Sequence, residues 1–218
     1  MKINHFSVTS ATSLDLDISP TLPICVLRGN HSSLVLDLIR ELIGDYGATE
    51  DPDRIDDGRF VIHADVEIDG KDYAICYIRN ADFMGDNRIA VNFNPNSIAF
   101  SIEDTHEFER KRAERNKNDG NVFDASKRIT DIRLSESERR LAQFDHFMKS
   151  LSMDDDRPLF IYDFFDRIDE ALDTRPYLDH LASLGRQVFV SVCADHPLEK
   201  MMYNKVQVVD MEAEDGKN

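Results

Sequence analysis

The sequence has no tryptophan, only three cysteines and only nine glycines in 218 residues. It also lacks any apolar run close to the roughly 20 residues that a membrane-spanning helix requires. Cys25, Cys76 and Cys193 lie in separate apolar stretches without the paired spacing of a zinc site or a disulfide framework, so we expect buried free thiols. The residues after Lys2 alternate in polarity and do not form the apolar core of a signal peptide. These absences predict a cytoplasmic protein without a membrane segment.

Basic residues are fewer than acidic ones, and they are unevenly distributed along the sequence. With 26 basic and 42 acidic residues the formal net charge is −16, which argues against nonspecific nucleic-acid binding by the whole surface. Ten basic residues nevertheless fall within residues 110–140, which we call the basic stretch. They are Arg110, Lys111, Arg112, Arg115, Lys117, Lys127, Arg128, Arg133, Arg139 and Arg140. This stretch is a candidate contact for DNA, although a solvated helical surface that carries both signs of charge is the favoured alternative.

A strand, a tight loop and an amphipathic helix are predicted in succession near the N-terminus. Residues 24–27 form a short apolar run, and helical spacing begins after Ser32 or Ser33, either of which we expect to be the N-cap. This order is the layout of a phosphate-binding loop, but the second glycine, the lysine and the magnesium-binding hydroxyl of the usual motif are missing. The candidate nucleotide-binding residues are Gly29, Asn30, His31, Ser32 and Ser33.

Strands and helices alternate over much of the chain. Apolar patterns predict strands at residues 2–10, 14–18, 24–27, 60–68, 73–78, 88–93, 158–162, 187–193 and 205–209. Helical spacing predicts helices at residues 34–43, 100–117, 135–151 and 166–184. The dipeptide Asp69-Gly70 between two strands indicates a tight hairpin. Because strands that alternate with helices pair in parallel through crossover connections, the sequence predicts an α/β fold with a mostly parallel sheet.

The chain is long enough for one domain with a substantial core, so we expect a single domain over residues 1–218. Within it we expect an antiparallel β block at about residues 59–94 and a short helical insertion at about residues 100–133. The acidic tail, residues 210–218, is expected to be frayed.

Three segments in this order resemble those of an ATP-binding-cassette ATPase head of the SMC/RecF-like branch, which includes DNA-repair ATPases. They are the loop that begins at Gly29, the run Leu134-Ser135-Glu136-Ser137-Glu138, and the run Pro158-Leu159-Phe160-Ile161-Tyr162-Asp163-Phe164. The resemblance covers nearly the whole chain. It implies a P-loop NTPase-like fold with ATP and Mg²⁺ as ligands.

The signature segment of that family is matched by Ser135, Ser137 and Glu138, with Ser137 where glycine is commonest. The resemblance implies that Ser135 and its helix start contact ATP held by a second subunit. A capping role for Ser135 in its own helix, with Glu138 at capping-box spacing, is the alternative.

Further roles are implied for the acidic residues after the strand at 158–162. Asp163 matches the Walker B acid that holds water on Mg²⁺, and its alternative role is to cap the next helix. Phe164 replaces the glutamate that orients the attacking water, which leaves Asp166 as a catalytic candidate.

Two further positions of the family pattern depart in this chain. Cys193 stands where relatives place a histidine that senses the γ-phosphate, and we expect His196 to lie in a surface loop. Asn92 and Asn94 are candidates for the metal-contacting glutamine.

The chain is therefore expected to be a degenerate ATPase head that acts as a nucleotide-binding or pseudo-ATPase subunit. It would associate with itself or with an active ATPase subunit, and the resemblance suggests a setting in DNA maintenance, mobile elements or defence. One alternative is a weakly active Mg²⁺-dependent ATPase in which Arg28 or Arg40 replaces the lysine. The other is a structural subunit that binds no nucleotide.

Overall fold

The computed structural model of the chain describes residues 1–10, 15–43, 59–80, 88–92, 101–115, 120–125, 135–151, 155–168 and 172–211. The described strands are β1 (Lys2–Ser10), β2 (Asp15–Ile18), β3 (Ile24–Arg28), β4 (Arg59–Ile68), β5 (Lys71–Asn80), β6 (Arg88–Val91), β7 (Val122–Asp124), β8 (Leu159–Tyr162), β9 (Val188–Val192) and β10 (Val206–Asp210). The described α-helices are α1 (Ser32–Leu42), α2 (Ile102–Arg115), α3 (Glu136–Ser150) and α4 (Arg175–Ser183).

The chain divides into two compact units. The first comprises Met1–Pro20 and Asp37–Asp119, and the second comprises Thr21–Leu36 and Gly120–Asn218. The boundary after Leu36 falls inside α1. That residues 1–218 form one domain stays a prediction.

An antiparallel sheet makes up most of the first unit, in the order β2-β1-β4-β5-β6. Along β4, every second side chain is buried, from Phe60 to Ile68, as the period-two pattern predicts. Asp69 and Gly70 join β4 to β5 with φ values of 54° and 76°. Two consecutive residues with positive φ are typical of a type I′ hairpin turn, so the hairpin prediction is confirmed.

The second unit is built on a parallel sheet in the order β10-β3-β9-β8-β7. Its strands β3, β8 and β9 are buried almost throughout, which explains their continuous apolar sequences. Residues of α3 and α4 pack into the same core, including Phe144 and Leu178. The predicted α/β fold, with a parallel sheet and an antiparallel block, is thus confirmed.

Three predicted ranges differ from the structure. Within the described residues, the helix predicted at 166–184 is present only as α4, since Pro176 is compatible with the first helical turn but not with a helix interior. Within the predicted helical insertion, residues 100–133, Val122–Asp124 instead form β7 beside β8. The range predicted for the frayed tail, residues 210–218, starts too early, because Asp210 belongs to β10. Residues 212–218 lie outside the described residues.

Among the described helices, none combines the length and the apolar character needed to cross a membrane.

Candidate functional site

The candidate site lies in the second unit, where β3, β8 and β9 end. Gly29 follows β3, Asp163 follows β8 and Cys193 follows β9. Because these strands are adjacent and parallel, their carboxyl ends meet at one edge of the sheet. Ligands of open α/β sheets bind at this kind of edge.

The connection from β3 to α1 is a tight turn of three residues, Gly29, Asn30 and His31. Gly29 has a φ of 142°, a conformation that side chains with a Cβ rarely adopt. Its N–H donates to Val192 O at 3.1 Å, and the Ser32 N–H donates to Gly29 O at 3.1 Å. Asn30 and His31 are exposed. The turn therefore uses two N–H groups that a phosphate-binding loop would direct at an anion.

Ser32 and Ser33 lie in the first turn of α1. The first helical bond runs from Val35 N to His31 O, so His31 is the N-cap and the prediction of a serine cap is wrong. The buried Ser32 Oγ donates to Val192 O at 3.0 Å. The Ser33 Oγ donates to an oxygen of Asp163, Oδ1, at 3.2 Å. Both hydroxyls thus connect α1 to the strands behind it.

Asp163 lies in a group of three side chains, with Ser33 and Ser191, which we call the Asp163 cluster. Ser191 Oγ lies 3.1 Å from Asp163 Oδ1 and 3.2 Å from Ser33 Oγ. The Asp163 N–H donates to Ser191 Oγ at 3.3 Å. Sequence reasoning missed Ser191, whose only signal is a polar residue in the otherwise apolar strand β9. The cluster brings a carboxylate and two hydroxyls together at the sheet edge.

The two arginines considered as substitutes for the missing lysine are hydrogen-bonded or buried. The Arg28 Nη1 donates to Asp210 Oδ2 at 2.7 Å, and its Nε donates to His196 O at 3.1 Å. Arg40, the other substitute for the missing lysine, is 5% exposed and belongs to the first unit. Arg28 is therefore not free to take the place of the lysine of a phosphate-binding loop.

Phe164, at the position where the resemblance implies a glutamate, is completely buried. Its ring stacks on that of Phe144 with centroids 4.2 Å apart and contacts Phe123 edge-on at 5.5 Å. Its side chain is part of the core between α3 and the parallel sheet. This position supplies no group that accepts a proton from water.

Asp166 is occupied by three hydrogen-bond partners in the loop after β9. Its Oδ2 accepts from the Cys193 N–H at 2.7 Å, and its Oδ1 lies 2.8 Å from His196 Nδ1 and 3.4 Å from Cys193 Sγ. His196 is 6% exposed, so the expectation of a surface histidine is wrong. These residues line a cleft of about 180 Å³. Asp166 is bonded as a link between two loops, and its catalytic role stays a prediction.

The cysteines do not share one environment. Cys25 is buried, and its burial raises the pKa of the thiol to about 12. Cys76 is half-buried and Cys193 is exposed, so the prediction of buried thiols is wrong for Cys193. Partial burial and then the nearby Asp166 carboxylate raise the pKa of Cys193. A thiol with a raised pKa is a poor nucleophile near neutral pH.

Ser135 is the N-cap of α3 and forms a capping box with Glu138. The Ser135 N–H and Oγ both donate to Glu138 Oε2, at 2.8 and 2.7 Å, and the Glu138 N–H donates back to Ser135 Oγ at 3.3 Å. These hydrogen bonds lower the pKa of Glu138. Ser137 is half-buried. The predicted cap is confirmed, and a role of these residues toward a second subunit's nucleotide stays a prediction.

Four described members of the basic stretch are paired with acids or buried. Arg110 pairs with Glu114 at 2.8 Å, and Lys111 lies 3.3 Å from Asp69. Arg112 is 6% exposed and donates to a backbone carbonyl. In α3, Arg140 is 5% exposed. Lys117, Lys127, Arg128 and Arg133 lie outside the described residues.

Asn92 is used within the first unit. Its φ is 58°, and its Nδ2 donates to Asp104 Oδ2 at 2.6 Å. Asn92 therefore joins the end of β6 to α2. Asn94 lies outside the described residues.

Comparison with known proteins identifies the fold through structure and not through sequence. No family model matches the chain, and no curated protein matches its sequence. The structure is similar to the SMC head domain from Thermotoga maritima, with a TM-score of 0.53 and 10% identity over 96% of this chain and 95% of that one.

Two further solved structures are similar over almost the full length. An SMC head bound to the C-terminal winged-helix domain of ScpA gives a TM-score of 0.54 at 12% identity, over 95% of this chain and 93% of that one. The recombination mediator RecF in its ATP-bound form gives 0.51 at 11% identity, over 91% and 95%. The chain therefore has an SMC/RecF-like ATPase head fold.

Proposed function

We propose that the chain is a pseudo-ATPase head that binds nucleotide with Mg²⁺, turns it over little or not at all, and associates with itself or with an active ATPase subunit. The observation that carries the proposal is the hydrogen bond from Ser33, in the first turn of α1, to Asp163, at the end of β8. A hydroxyl at this helix start and a carboxylate after this strand are the pair that holds Mg²⁺ in P-loop ATPases. Ser33 would supply this hydroxyl from a position other than the usual one of the motif, which is Leu36 in this chain.

The oxygen atoms of the Asp163 cluster fit Mg²⁺ in kind. One carboxylate and two hydroxyls are hard oxygen donors, and Mg²⁺ commonly takes one or two carboxylates and completes its shell with water and substrate phosphates. Among the described residues, no group of three His, Cys, Asp or Glu side chains is arranged to hold a metal by itself. Asp163 and Ser33 would hold the ion, which would neutralise phosphate charge when nucleotide is bound.

The loop supports weak binding of the phosphates. The start of α1 retains the partial positive charge of a helix N-terminus, which favours an anion. The Gly29 and Ser32 N–H groups are committed to the turn, and no lysine follows it. We therefore expect the affinity for nucleotide to depend strongly on Mg²⁺, because no side chain replaces the positive charge of the missing lysine.

Hydrolysis is disfavoured by the groups that surround the cluster. Phosphoryl transfer depends on positioning and charge stabilisation, and loss of one preorganised donor typically costs on the order of 10²–10³ in rate. This chain lacks the loop lysine, and Phe164 places a buried ring where a water-orienting carboxylate would stand. The combined losses support a binding role over a catalytic one.

A head that does not turn over nucleotide is expected to act by binding a second head or another protein subunit. Ser135 and the start of α3 would face the nucleotide of a second head, once Glu138 releases the serine hydroxyl that it holds. The similar SMC head bound to a winged-helix domain supports a protein partner. DNA contact through the basic stretch has less support, because Arg110 and Lys111 are paired with acids and Arg112 and Arg140 are buried.

Calorimetric titration with ATP and ADP, with and without Mg²⁺, tests the proposal. We expect Mg²⁺-dependent binding by the wild type, loss of binding in Asp163→Asn, and unchanged binding in the surface control Asp145→Asn. Ligand at about 100 times its dissociation constant should stabilise the fold by about 2.7 kcal/mol, which a melting curve detects. Phosphate release that requires Asp163 would instead show the weakly active ATPase.

A structural subunit without nucleotide is the second candidate. It is favoured by the closed turn at Gly29 and by the complete burial of Val35 in α1, where a phosphate-binding loop would still be open to ligand. Absence of binding at millimolar nucleotide, with the fold intact, would support this candidate and contradict the first.

A further inference from the structure

We propose that Ser191 is a positioning residue that holds Asp163 ready for a cation, a role that rests on the function proposed above. Ser191 lies in β9 and is completely buried between the apolar Val190 and Val192. A buried hydroxyl is costly unless it is hydrogen-bonded. Within the described part of the chain, its side-chain hydrogen bonds go to Asp163 and Ser33 only.

The first contribution of Ser191 is to the backbone. Asp163 has a φ of 52°, in the left-handed region that residues with a Cβ adopt at a cost. The Asp163 N–H donates to Ser191 Oγ at 3.3 Å, which satisfies this N–H in the strained conformation. Because Tyr162 pairs with Ser191 in the β8–β9 register, the hydroxyl lies directly beside the residue at which β8 ends.

The second contribution is to the carboxylate. Ser191 donates its single hydroxyl proton to Asp163 Oδ1 at 3.1 Å, and Ser33 also reaches Oδ1, at 3.2 Å. Oδ2 accepts no hydrogen bond from the described residues. The two hydroxyls therefore fix the carboxylate through one oxygen and leave the other for a cation, as outer partners orient metal ligands in general.

The experiment compares Ser191→Ala with Ser191→Thr, which retains a hydroxyl, and with Val190→Ala, which removes buried volume from the same strand without touching the Asp163 cluster. Titration of Mg²⁺ at fixed ATP gives the midpoint of the Mg²⁺ dependence in each variant. Loss of an outer partner typically costs about 10- to 100-fold in metal affinity. We expect a shift of that size in Ser191→Ala, its reversal in Ser191→Thr, and an unchanged midpoint in Val190→Ala.

A second readout needs no nucleotide. Amide hydrogen exchange at Asp163, followed by NMR, should be faster in Ser191→Ala than in the wild type and unchanged in Val190→Ala. If the Mg²⁺ midpoint and the Asp163 exchange rate are both unaltered in Ser191→Ala, the positioning role is wrong. If the wild type shows no Mg²⁺-dependent binding, the proposed function fails, and the exchange rate still decides whether Ser191 holds Asp163. If Ser191→Ala does not fold, the midpoint of the Mg²⁺ dependence in Ser191→Thr tests the positioning role of Ser191. A shifted midpoint in this variant, which retains the hydroxyl, would contradict that role.

Discussion

Arg28 and Asp210 form an ion pair at 2.7 Å between the ends of two adjacent parallel strands, β3 and β10. The two residues are register partners, so the pair closes the edge strand against the strand that leads into Gly29. Their side chains are 19% and 25% exposed, which reduces screening by solvent. The pair explains why Arg28 is not available to replace a phosphate-binding lysine.

Removal of this pair should destabilise the second unit. A hydrogen bond to a charged partner contributes about 1.5–3 kcal/mol, so we expect Asp210→Ala to lower the free energy of unfolding by about that much. Urea denaturation measures the change. As a control, Glu114→Gln removes the exposed Arg110–Glu114 pair, for which about 0.3–0.5 kcal/mol is expected. Equal effects of the two substitutions would contradict the structural role of Asp210.

Placing a glutamate at position 164, where the resemblance implies one, should damage the fold rather than create activity. Phe164 is completely buried and stacked on Phe144, so Phe164→Glu places a carboxylate in an apolar core. Loss of a buried aromatic side chain alone typically costs about 3–5 kcal/mol. We expect Phe164→Glu to unfold at markedly lower urea concentration than the milder Phe164→Leu. A stable Phe164→Glu protein with Mg²⁺-dependent phosphate release would contradict this prediction and the proposed loss of catalysis.

Asp155 should make stability depend on pH in the acidic range. Burial alone would raise the pKa of Asp155, but the hydrogen bonds from Arg157 and the charge of Arg186 outweigh it and hold the pKa below its ordinary value of 3.8. A carboxyl with a lowered folded-state pKa contributes stability above its unfolded-state pKa and loses it as the pH falls through the folded-state value. The stability difference between wild type and Asp155→Asn should be constant at neutral pH and shrink below about pH 4. Urea midpoints measured across pH test this, and a difference that grows on acidification would contradict it.

Local patterns were sufficient to predict the features that depend on neighbouring residues. The Asp69-Gly70 turn and the Ser135–Glu138 capping box are each determined within four residues of sequence, and both are present. The parallel sheet was predicted in a different way, from the alternation of strands and helices along the chain.

Contacts between residues that are far apart in the sequence could not be predicted from local patterns. Ser191 is hydrogen-bonded to Asp163 across 28 positions of sequence, and the buried His196 is hydrogen-bonded through its Nδ1 to Asp166, 30 positions away. The tight loop at Gly29 was predicted from its residues, but the hydrogen bond from its N–H to Val192 O was not. Such contacts depend on the order of the strands in the sheet. A sequence pattern is compatible with several such orders.

Reaction of the cysteines with iodoacetamide should distinguish two thiols that the sequence places in similar apolar runs. In the native protein we expect Cys193, which is exposed, to react before Cys25, which is 1% exposed and has a pKa of about 12. Partial burial and the Asp166 carboxylate both raise the pKa of Cys193, so Asp166→Asn should lower that pKa and increase the rate near neutral pH. Mass spectrometry after timed labelling measures each site, with Cys193→Ser as the control for assignment.

The pH dependence of the labelling rate separates two explanations for a faster reaction in Asp166→Asn. Removal of the charge moves the midpoint of the rate profile to lower pH, whereas a loosened loop increases the rate at every pH. An unchanged midpoint in Asp166→Asn would mean that the carboxylate does not influence the thiol through its charge.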